Sequence, residues 1–173
     1  MSKIVYEVIV ENGSVFWRLN GKYHREGGPA VEYADGSKCW YVNGQLHRED
    51  GPAFEGADGI KCWYVNGQRH RLDGPAYEGS NGGKSWWVNG KRHRLDGPAI
   101  ECANGTKEWW VNGLLHRLDG PAYEWADGDK WWYINGVNYT EKDFRKRIAK
   151  MKSPVAQSCA GFVYEYIMRL ICL

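Results

Sequence analysis

The chain has 173 residues, with 23 Lys and Arg against 21 Asp and Glu, and it is rich in Gly, Trp and Tyr. This length suits one compact domain or a short repeat array. An aromatic content of 14% argues against disorder, and a formal net charge of +2 argues against general nucleic-acid binding. The chain shows neither a long apolar run nor a signal-peptide pattern at its start, so we expect a cytoplasmic protein without a transmembrane segment.

A 23-residue repeat begins at Val15 and organises most of the chain. Each repeat carries a Trp, then Asn-Gly, then His-Arg, Gly-Pro-Ala and Glu, and the aligned columns predict five full repeats and a sixth partial one. The column tryptophans are Trp17, Trp40, Trp63, Trp86, Trp109 and Trp132, and the histidines are His24, His47, His70, His93 and His116.

Each repeat is predicted to form two short β-strands. In residues 38–42, strand alternation puts Trp40 and Val42 on one face and Tyr41 on the other, with the tryptophan column as the buried one. Asn43-Gly44 has the composition of a type I′ hairpin turn, and Asp58-Gly59 turns the chain into the next repeat. Glu and Lys flank this second turn, so we expect cross-strand ion pairs between them. The fold class predicted is mainly β, an elongated antiparallel meander of stacked β-hairpin repeats with a short C-terminal helical cap.

Three segments follow from this pattern. Residues 1–14 contain a β-forming stretch that we expect to be an N-terminal capping strand, residues 15–136 hold the repeats, and residues 137–173 form a helical cap or oligomerisation segment. Two apolar stripes at helical spacing lie in the last segment, one from Phe144 to Met151 and one after Pro154. The second stripe contains the candidate partner or oligomer contacts Phe162, Tyr166 and Leu170.

The histidine column predicts neither a metal site nor a catalytic site. Equivalent residues of successive repeats lie about 10 Å apart, because each repeat adds two strands, and this is too far for two imidazoles to share one ion. Five identical copies also do not make a catalytic constellation. We expect His and Arg to order the segment before Gly-Pro-Ala, with each Arg reaching the Asp two residues later. The five cysteines fit no zinc spacing, and we expect reduced thiols without a functional role.

The residue after each column tryptophan varies, and these residues are the candidate binding surface. They are Tyr41, Tyr64, Trp87, Trp110 and Tyr133. Exposed rings in this column would stack against a small ligand, a glycan, a nucleotide or a partner's side chains. The alternative is that the turns of the second strand cover them.

The segment from Trp87 to His93, with its 23-residue period and downstream Asn-Gly, resembles a MORN repeat (membrane occupation and recognition nexus). It differs from the usual motif in having His-Arg-x-Asp-Gly-Pro-Ala in place of His-Gly-x-Gly. It is therefore most similar to the variant MORN-like class of tailed-phage and giant-virus proteins. The resemblance implies stacked hairpins used as an interaction or assembly platform, sometimes with lipid contact. A weaker likeness is to the choline-binding repeats of bacterial cell-wall proteins.

These observations predict a non-enzymatic module for protein–protein interaction, with no cofactor and no metal. A phage or viral origin, implied only by the resemblance, would make a host defence protein the natural partner, in the host cytoplasm. Two alternatives stay open: small-ligand, nucleotide or glycan binding through the varying aromatic column, and peripheral lipid binding through the basic C-terminal tail. The C-terminal helices are also candidates for self-association into a homo-oligomer.

Overall fold

The computed structural model describes residues 5–152, so Phe162, Tyr166 and Leu170 lie outside the described residues. The strands of the first half are β1 (Glu7–Glu11), β2 (Ser14–Leu19), β3 (Lys22–Tyr23), β4 (Val31–Glu32), β5 (Lys38–Cys39), β6 (Tyr41–Val42), β7 (Gln45–Leu46), β8 (Phe54–Glu55), β9 (Lys61–Cys62), β10 (Tyr64–Val65) and β11 (Gln68–Arg69). Those of the second half are β12 (Tyr77–Glu78), β13 (Lys84–Ser85), β14 (Trp87–Val88), β15 (Lys91–Arg92), β16 (Ile100–Glu101), β17 (Lys107–Glu108), β18 (Trp110–Val111), β19 (Leu114–Leu115), β20 (Tyr123–Glu124), β21 (Lys130–Ile134) and β22 (Val137–Tyr139), followed by helix α1 (Glu141–Met151).

The predicted fold class is confirmed, because one antiparallel sheet runs through the repeats as a meander. Its order is β1-β2-β4-β5-β8-β9-β12-β13-β16-β17-β20-β21-β22, with β3 paired to β2. Four two-stranded hairpins accompany this sheet: β6–β7, β10–β11, β14–β15 and β18–β19. The architecture therefore has a long meander and, beside it, a row of small Asn-Gly hairpins.

The prediction of two strands per repeat is wrong, because each full repeat after the first contains four strands of two residues. The expected strand over residues 38–42 is interrupted at Trp40, between β5 and β6. The Trp40 N–H donates to the carbonyl of Ala53 at 2.8 Å, and the Trp40 carbonyl accepts from the His47 N–H at 3.0 Å. The backbone of the column tryptophan thus joins the meander to the hairpin.

Both predicted turns are confirmed by the backbone. Of the nine Asn-Gly pairs, the seven at the hairpin tips have φ of 48° to 52° at Asn and 74° to 83° at Gly, which are the two positive values that a type I′ turn requires. At the second turn, Gly59 has a φ of 88° and its N–H donates to the Gly56 carbonyl at 2.9 Å. Successive hairpins are linked by backbone hydrogen bonds, such as Gly44 N–H to the Tyr23 carbonyl at 2.8 Å and Arg25 N–H to the Tyr41 carbonyl at 3.2 Å. Each repeat is therefore held by its neighbours along the chain.

The expected Lys–Glu register is present, but the ion pairs are not. Glu55 lies opposite Lys61 in the sheet, and the equivalent Glu and Lys of the other repeats are also register partners. Among the described residues, however, Glu55 pairs with Arg48 at 3.1 Å, and each equivalent Glu pairs with the Arg of its own repeat. Each Glu pairs with Arg and not with Lys because the guanidinium approaches from within the repeat, where it is partly shielded from water.

The core of the array is a column of alanines, not the tryptophan column. The Ala of each Gly-Pro-Ala is fully buried, with 0% exposure, whereas the six column tryptophans are half-buried. The buried alanines are Ala30, Ala53, Ala76, Ala99 and Ala122. The expected buried tryptophan column is thus corrected, because its rings remain partly open to water.

The two ends of the array are closed differently. At the N-terminal end, β1 pairs with β2 over five residues, consistent with the expected capping strand. At the other end, β22 extends the last hairpin beyond Gly136, and α1 packs against β21 and β22 with Phe144 buried. The Thr140 side chain accepts from the Asp143 N–H and so caps the first turn of α1. Within residues 5–152, no helix has the length and hydropathy of a bilayer span.

We expect Ala76→Val to lower the free energy of unfolding by about 1–3 kcal/mol, because the alanine column has no room for two further methyl groups. Urea unfolding followed by circular dichroism measures this change. Ala57→Val, at an exposed position, is the matched control and should cost much less. Equal midpoints for the two variants would contradict the assignment of the alanine column as the core.

Candidate functional site

In the second to fifth repeats, the Arg of the His-Arg pair contacts four groups of its own repeat. The Arg71 guanidinium carbon lies 4.0 Å from the centroid of the Trp63 ring. Arg71 Nε donates to Asp73 Oδ1 at 2.9 Å, as predicted, and Nη1 donates to the Pro75 carbonyl at 3.2 Å and to Glu78 at 3.3 Å. The same stacking, at 3.9–4.1 Å, joins Arg25 to Trp17, Arg48 to Trp40, Arg94 to Trp86 and Arg117 to Trp109.

The first repeat differs because Gly27 replaces the Asp. Arg25 keeps its contacts with Trp17, the Pro29 carbonyl and Glu32, but it has no carboxylate at Nε within the described residues. A depression of about 430 Å³ lies here, between the first two repeats. Trp40 and Val42 both line it. Carboxylates also border the depression, which disfavours an anion site beside Arg25 despite the free donor.

Each histidine holds the turn of the following repeat. The Asn135 N–H donates to Nδ1 of His116 at 3.1 Å, and the other four histidines accept from the equivalent Asn N–H at 3.1–3.2 Å. Within residues 5–152, no group of three His, Cys, Asp or Glu side chains is placed to hold a metal ion. The imidazole thus joins each repeat to the turn of the next, which supports the structural role predicted for this column.

Two of the cysteines are buried in the sheet. Cys39 and Cys62 are free thiols, and burial raises the pKa of Cys39 to about 11. A thiol with this pKa stays protonated at neutral pH and is a poor nucleophile. Cys102 is exposed and free, and Cys159 and Cys172 lie outside the described residues.

The fold places the residues of the predicted binding column side by side. Side chains of the protein itself, however, occupy most of the spaces between their rings. Arg69 lies between Tyr64 and Trp87, with its guanidinium carbon 5.7 Å and 5.4 Å from the two ring centroids. Arg92 lies between Trp87 and Trp110 in the same way, at 5.2 Å and 5.0 Å. These rings are half-buried, and cationic side chains occupy the gaps where a flat ligand would insert.

The indole and phenol groups of this column are also hydrogen-bonded internally. Trp87 Nε1 donates to Ser85 Oγ and Trp110 Nε1 donates to Glu108, both at 2.7 Å. Arg69 Nε donates to the Tyr64 hydroxyl at 3.0 Å. The middle of the column is therefore part of the scaffold. Sequence reasoning missed the two arginines, although each stands directly opposite its ring across an Asn-Gly hairpin.

Two tryptophans belong to neither aromatic column, and both are exposed. Trp131 is 49% exposed at a repeat position where Cys39, Cys62 and Ser85 are buried. Trp125 is 41% exposed at the position that Gly56 and Gly79 occupy in the central repeats. Sequence analysis did not single them out, although both depart from the repeat alignment.

These two residues and their neighbours form a contiguous surface, here called the tryptophan patch (Tyr123, Trp125, Trp131 and Tyr133). Ring centroids of Tyr123 and Trp125 are 4.6 Å apart, and the other neighbouring rings are separated by 6.2–6.5 Å. A depression of about 320 Å³ adjoins it, lined by residues that include Lys130, Trp131 and Tyr133. Of the predicted binding residues, only Tyr133 lies in this patch, while Tyr41 packs against the Tyr23 ring at 5.4 Å.

Part of the basic charge predicted to bind lipid is neutralised within α1. Arg145 contacts Glu141 and Lys146 contacts Asp143, both as pairs on the helix surface. Such exposed pairs are weak, at about 0.2–1 kcal/mol, but they reduce the positive field of the helix.

No protein-family model matches the chain, and no curated protein matches it. The MORN-like assignment therefore stays a prediction that rests on the motif residues themselves.

We expect Arg71→Lys to lower the free energy of unfolding by about 1–3 kcal/mol. A lysine keeps the charge, but it cannot stack on Trp63 and at the same time donate in three directions. Arg145→Lys, on the exposed face of α1, is the matched control and should change stability by less than about 0.5 kcal/mol. Chemical denaturation measures both, and an equal small effect would contradict the role assigned to the guanidinium.

We expect His116 to titrate below its ordinary pKa of 6.5, because burial disfavours the imidazolium. Its contribution to stability should be fully present above pH 6.5 and be lost as the pH falls below that value, since the unfolded chain binds the proton more readily. An NMR titration of the imidazole resonances gives the pKa directly, with His116→Gln used for assignment. A pKa at or above 6.5 would contradict the prediction.

Proposed function

We propose that this chain is a non-enzymatic interaction module that binds a protein partner through the tryptophan patch. The observation that carries the proposal is the placement of Trp125 and Trp131 at positions where the central repeats have small residues. The repeat does not require a tryptophan at either position, because Gly56 and Cys62 serve there equally well. Two large rings kept open to water are instead typical of protein interfaces, where Trp and Tyr contribute most of the binding energy.

The rest of the structure supports a binding role over a catalytic one. The residue types that usually carry chemistry are already engaged: His116 and its equivalents hold turns, and Arg71 and its equivalents lie on tryptophan rings. The patch itself is supported by paired strands on both sides, because Tyr123 is a register partner of Trp131. A patch held in this way loses little side-chain freedom on binding, which favours affinity.

Small-ligand binding is a second candidate function, favoured by the depression beside Trp131. A planar or sugar-like ligand would lie against that ring, with Lys130 at the border. Lipid binding by the basic helix has less support, because two of its cations are paired. The MORN-like motif adds a narrower proposal, that the partner is a host defence protein met by a phage or viral inhibitor in the host cytoplasm.

The test uses the intact chain and the double variant Trp125→Gly with Trp131→Ser, which restores residues found in other repeats. We expect affinity capture from a lysate of the source or host cell to yield a stoichiometric protein partner. The double variant should capture at least about tenfold less of this partner, which is the loss expected when an interface hot spot is removed.

Tyr33→Gly is the matched control, because Tyr33 is exposed and holds the same repeat position as Trp125 at the far end of the array. Capture that is equal for the double variant and the wild type would overturn the role of the patch. Ligand-induced changes in tryptophan fluorescence without any protein partner would favour the small-ligand function instead.

A further inference from the structure

The seven hairpin tips of the array share the sequence Asn-Gly, but they are not all held by the same hydrogen bonds. In five of them the Asn N–H donates to Nδ1 of a histidine in the preceding repeat, at 3.1–3.2 Å. The Gly N–H of the same five donates to a carbonyl of the preceding hairpin, at 2.8–2.9 Å. These tips, here called the guarded tips, contain Asn43, Asn66, Asn89, Asn112 and Asn135.

The first two tips, here called the open tips, are Asn12-Gly13 between β1 and β2 and Asn20-Gly21 between β2 and β3. Both come before the first histidine, His24, so no earlier repeat can hold them. Within residues 5–152, the N–H groups of their two glycines have no backbone acceptor. Their backbone φ values match those of the guarded tips, and the asparagines of all seven tips are exposed. The open tips therefore differ in hydrogen bonding alone.

The two remaining Asn-Gly pairs lie in the turns between repeats, and both are held. In Asn81-Gly82 the Gly N–H donates to the Gly79 carbonyl, and in Asn104-Gly105 it donates to the Cys102 carbonyl, both at 2.9 Å. Each of these asparagines also accepts, at its side-chain oxygen, from the N–H two residues later at 3.0 Å. Among the nine pairs, the open tips are thus the two whose Gly N–H lacks an acceptor in the described part of the chain.

An Asn-Gly pair can lose the side-chain amide by a reaction that needs only water. The Gly nitrogen gives its proton to water or hydroxide and attacks Cγ of the Asn, the bond from Cγ to the side-chain nitrogen breaks, and ammonia leaves. Water then opens the resulting cyclic imide at either carbonyl, which produces aspartate or isoaspartate. Water has replaced ammonia, and nothing is oxidised or reduced. A hydrogen bond from the Gly N–H opposes the first step, because it must break before the nitrogen can attack.

We propose that Asn12 and Asn20 are sites of spontaneous deamidation, and that hydrogen bonding protects the other seven Asn-Gly pairs. Isoaspartate adds a carboxylate and lengthens the backbone of the turn by one methylene. In the first tip this changes the two-residue turn that sets the pairing of β1 with β2. The modification thus acts on the N-terminal end of the sheet, whereas the tryptophan patch lies at the other end, on β20 and β21. It is independent of the function proposed for that patch.

The histidine contributes to this protection by holding the reacting side chain as well as the backbone. In four guarded tips, Nδ1 of the histidine lies 2.9–3.2 Å from the side-chain oxygen of the Asn. Bringing Cγ to the Gly nitrogen requires local opening of the tip, which in a guarded tip breaks the contacts of both residues. An open tip makes no such contacts, so it opens at a lower cost in free energy.

The experiment incubates the intact protein at mildly alkaline pH, where the Gly nitrogen loses its proton more readily, and follows every Asn-Gly peptide by mass spectrometry. A parallel sample in urea gives the rate of each site in the unfolded chain, which removes the effect of the flanking residues. We expect the ratio of unfolded to native rate to be at least about tenfold larger for the guarded tips than for Asn12 and Asn20, since two hydrogen bonds must break.

Equal ratios at the open and guarded tips would overturn the proposal, as would protection of Asn12 and Asn20 above that of the other sites. His70→Ala gives an independent reading, because it removes the imidazole from Asn89 and leaves the one that holds Asn112. In this variant we expect Asn89 to react at least about threefold faster relative to Asn112 in the same molecule, the effect of losing one hydrogen bond. An unchanged ratio would contradict the protective role of the histidine.

Discussion

The stacking of an arginine on the tryptophan of its own repeat is the interaction on which the rest of this structure depends. Strands of two residues supply few ladder hydrogen bonds, so backbone pairing alone specifies the repeat weakly. Arg71 compensates by joining Trp63, the Pro75 carbonyl and the acidic side chains of two different segments. Planarity makes this combination available to arginine, because one face can stack while the edges donate hydrogen bonds. The proline segment is thereby held over a core residue no larger than alanine.

Most of the backbone could be predicted from the sequence, and the depth of burial could not. Turns such as Asn43-Gly44 depend on local conformational preference, and recurrence at 23 residues confirmed each one several times. Alternation treated residues 38–42 as one continuous strand, whereas β5 ends at Cys39 and β6 begins at Tyr41. It did not show that Trp40 would interrupt its strand, because that depends on a hydrogen bond to Ala53, thirteen residues later in the chain. Nor did it show that Arg48 would cover the ring and leave it half-buried.

At the candidate site, too, the sequence pattern predicted which residues lie together but not which side chains contact them. The varying column was correctly grouped, yet Arg69 and Arg92 fill its centre, and this depends on side-chain reach across a hairpin. Trp125 and Trp131 were visible as departures from the alignment that defined the repeat. In a repetitive chain, a residue that recurs at the same position of successive repeats reports on folding. A residue that departs from its column is the more direct indication of function. An exception with a large apolar side chain on the surface is the most informative kind.

The strand that begins the sheet also affects how the array meets other copies of itself. β1 carries a glutamate at each end, Glu7 and Glu11, with exposed Val8 and Val10 between them. An identical strand pairing antiparallel along this edge, centred on Ile9, would set each Glu7 opposite a Glu11, and like charges in directly opposed positions destabilise a sheet. The arrangement allows a ladder of repeats to be long within one chain and still discourages the pairing of its first strand with that of a second copy.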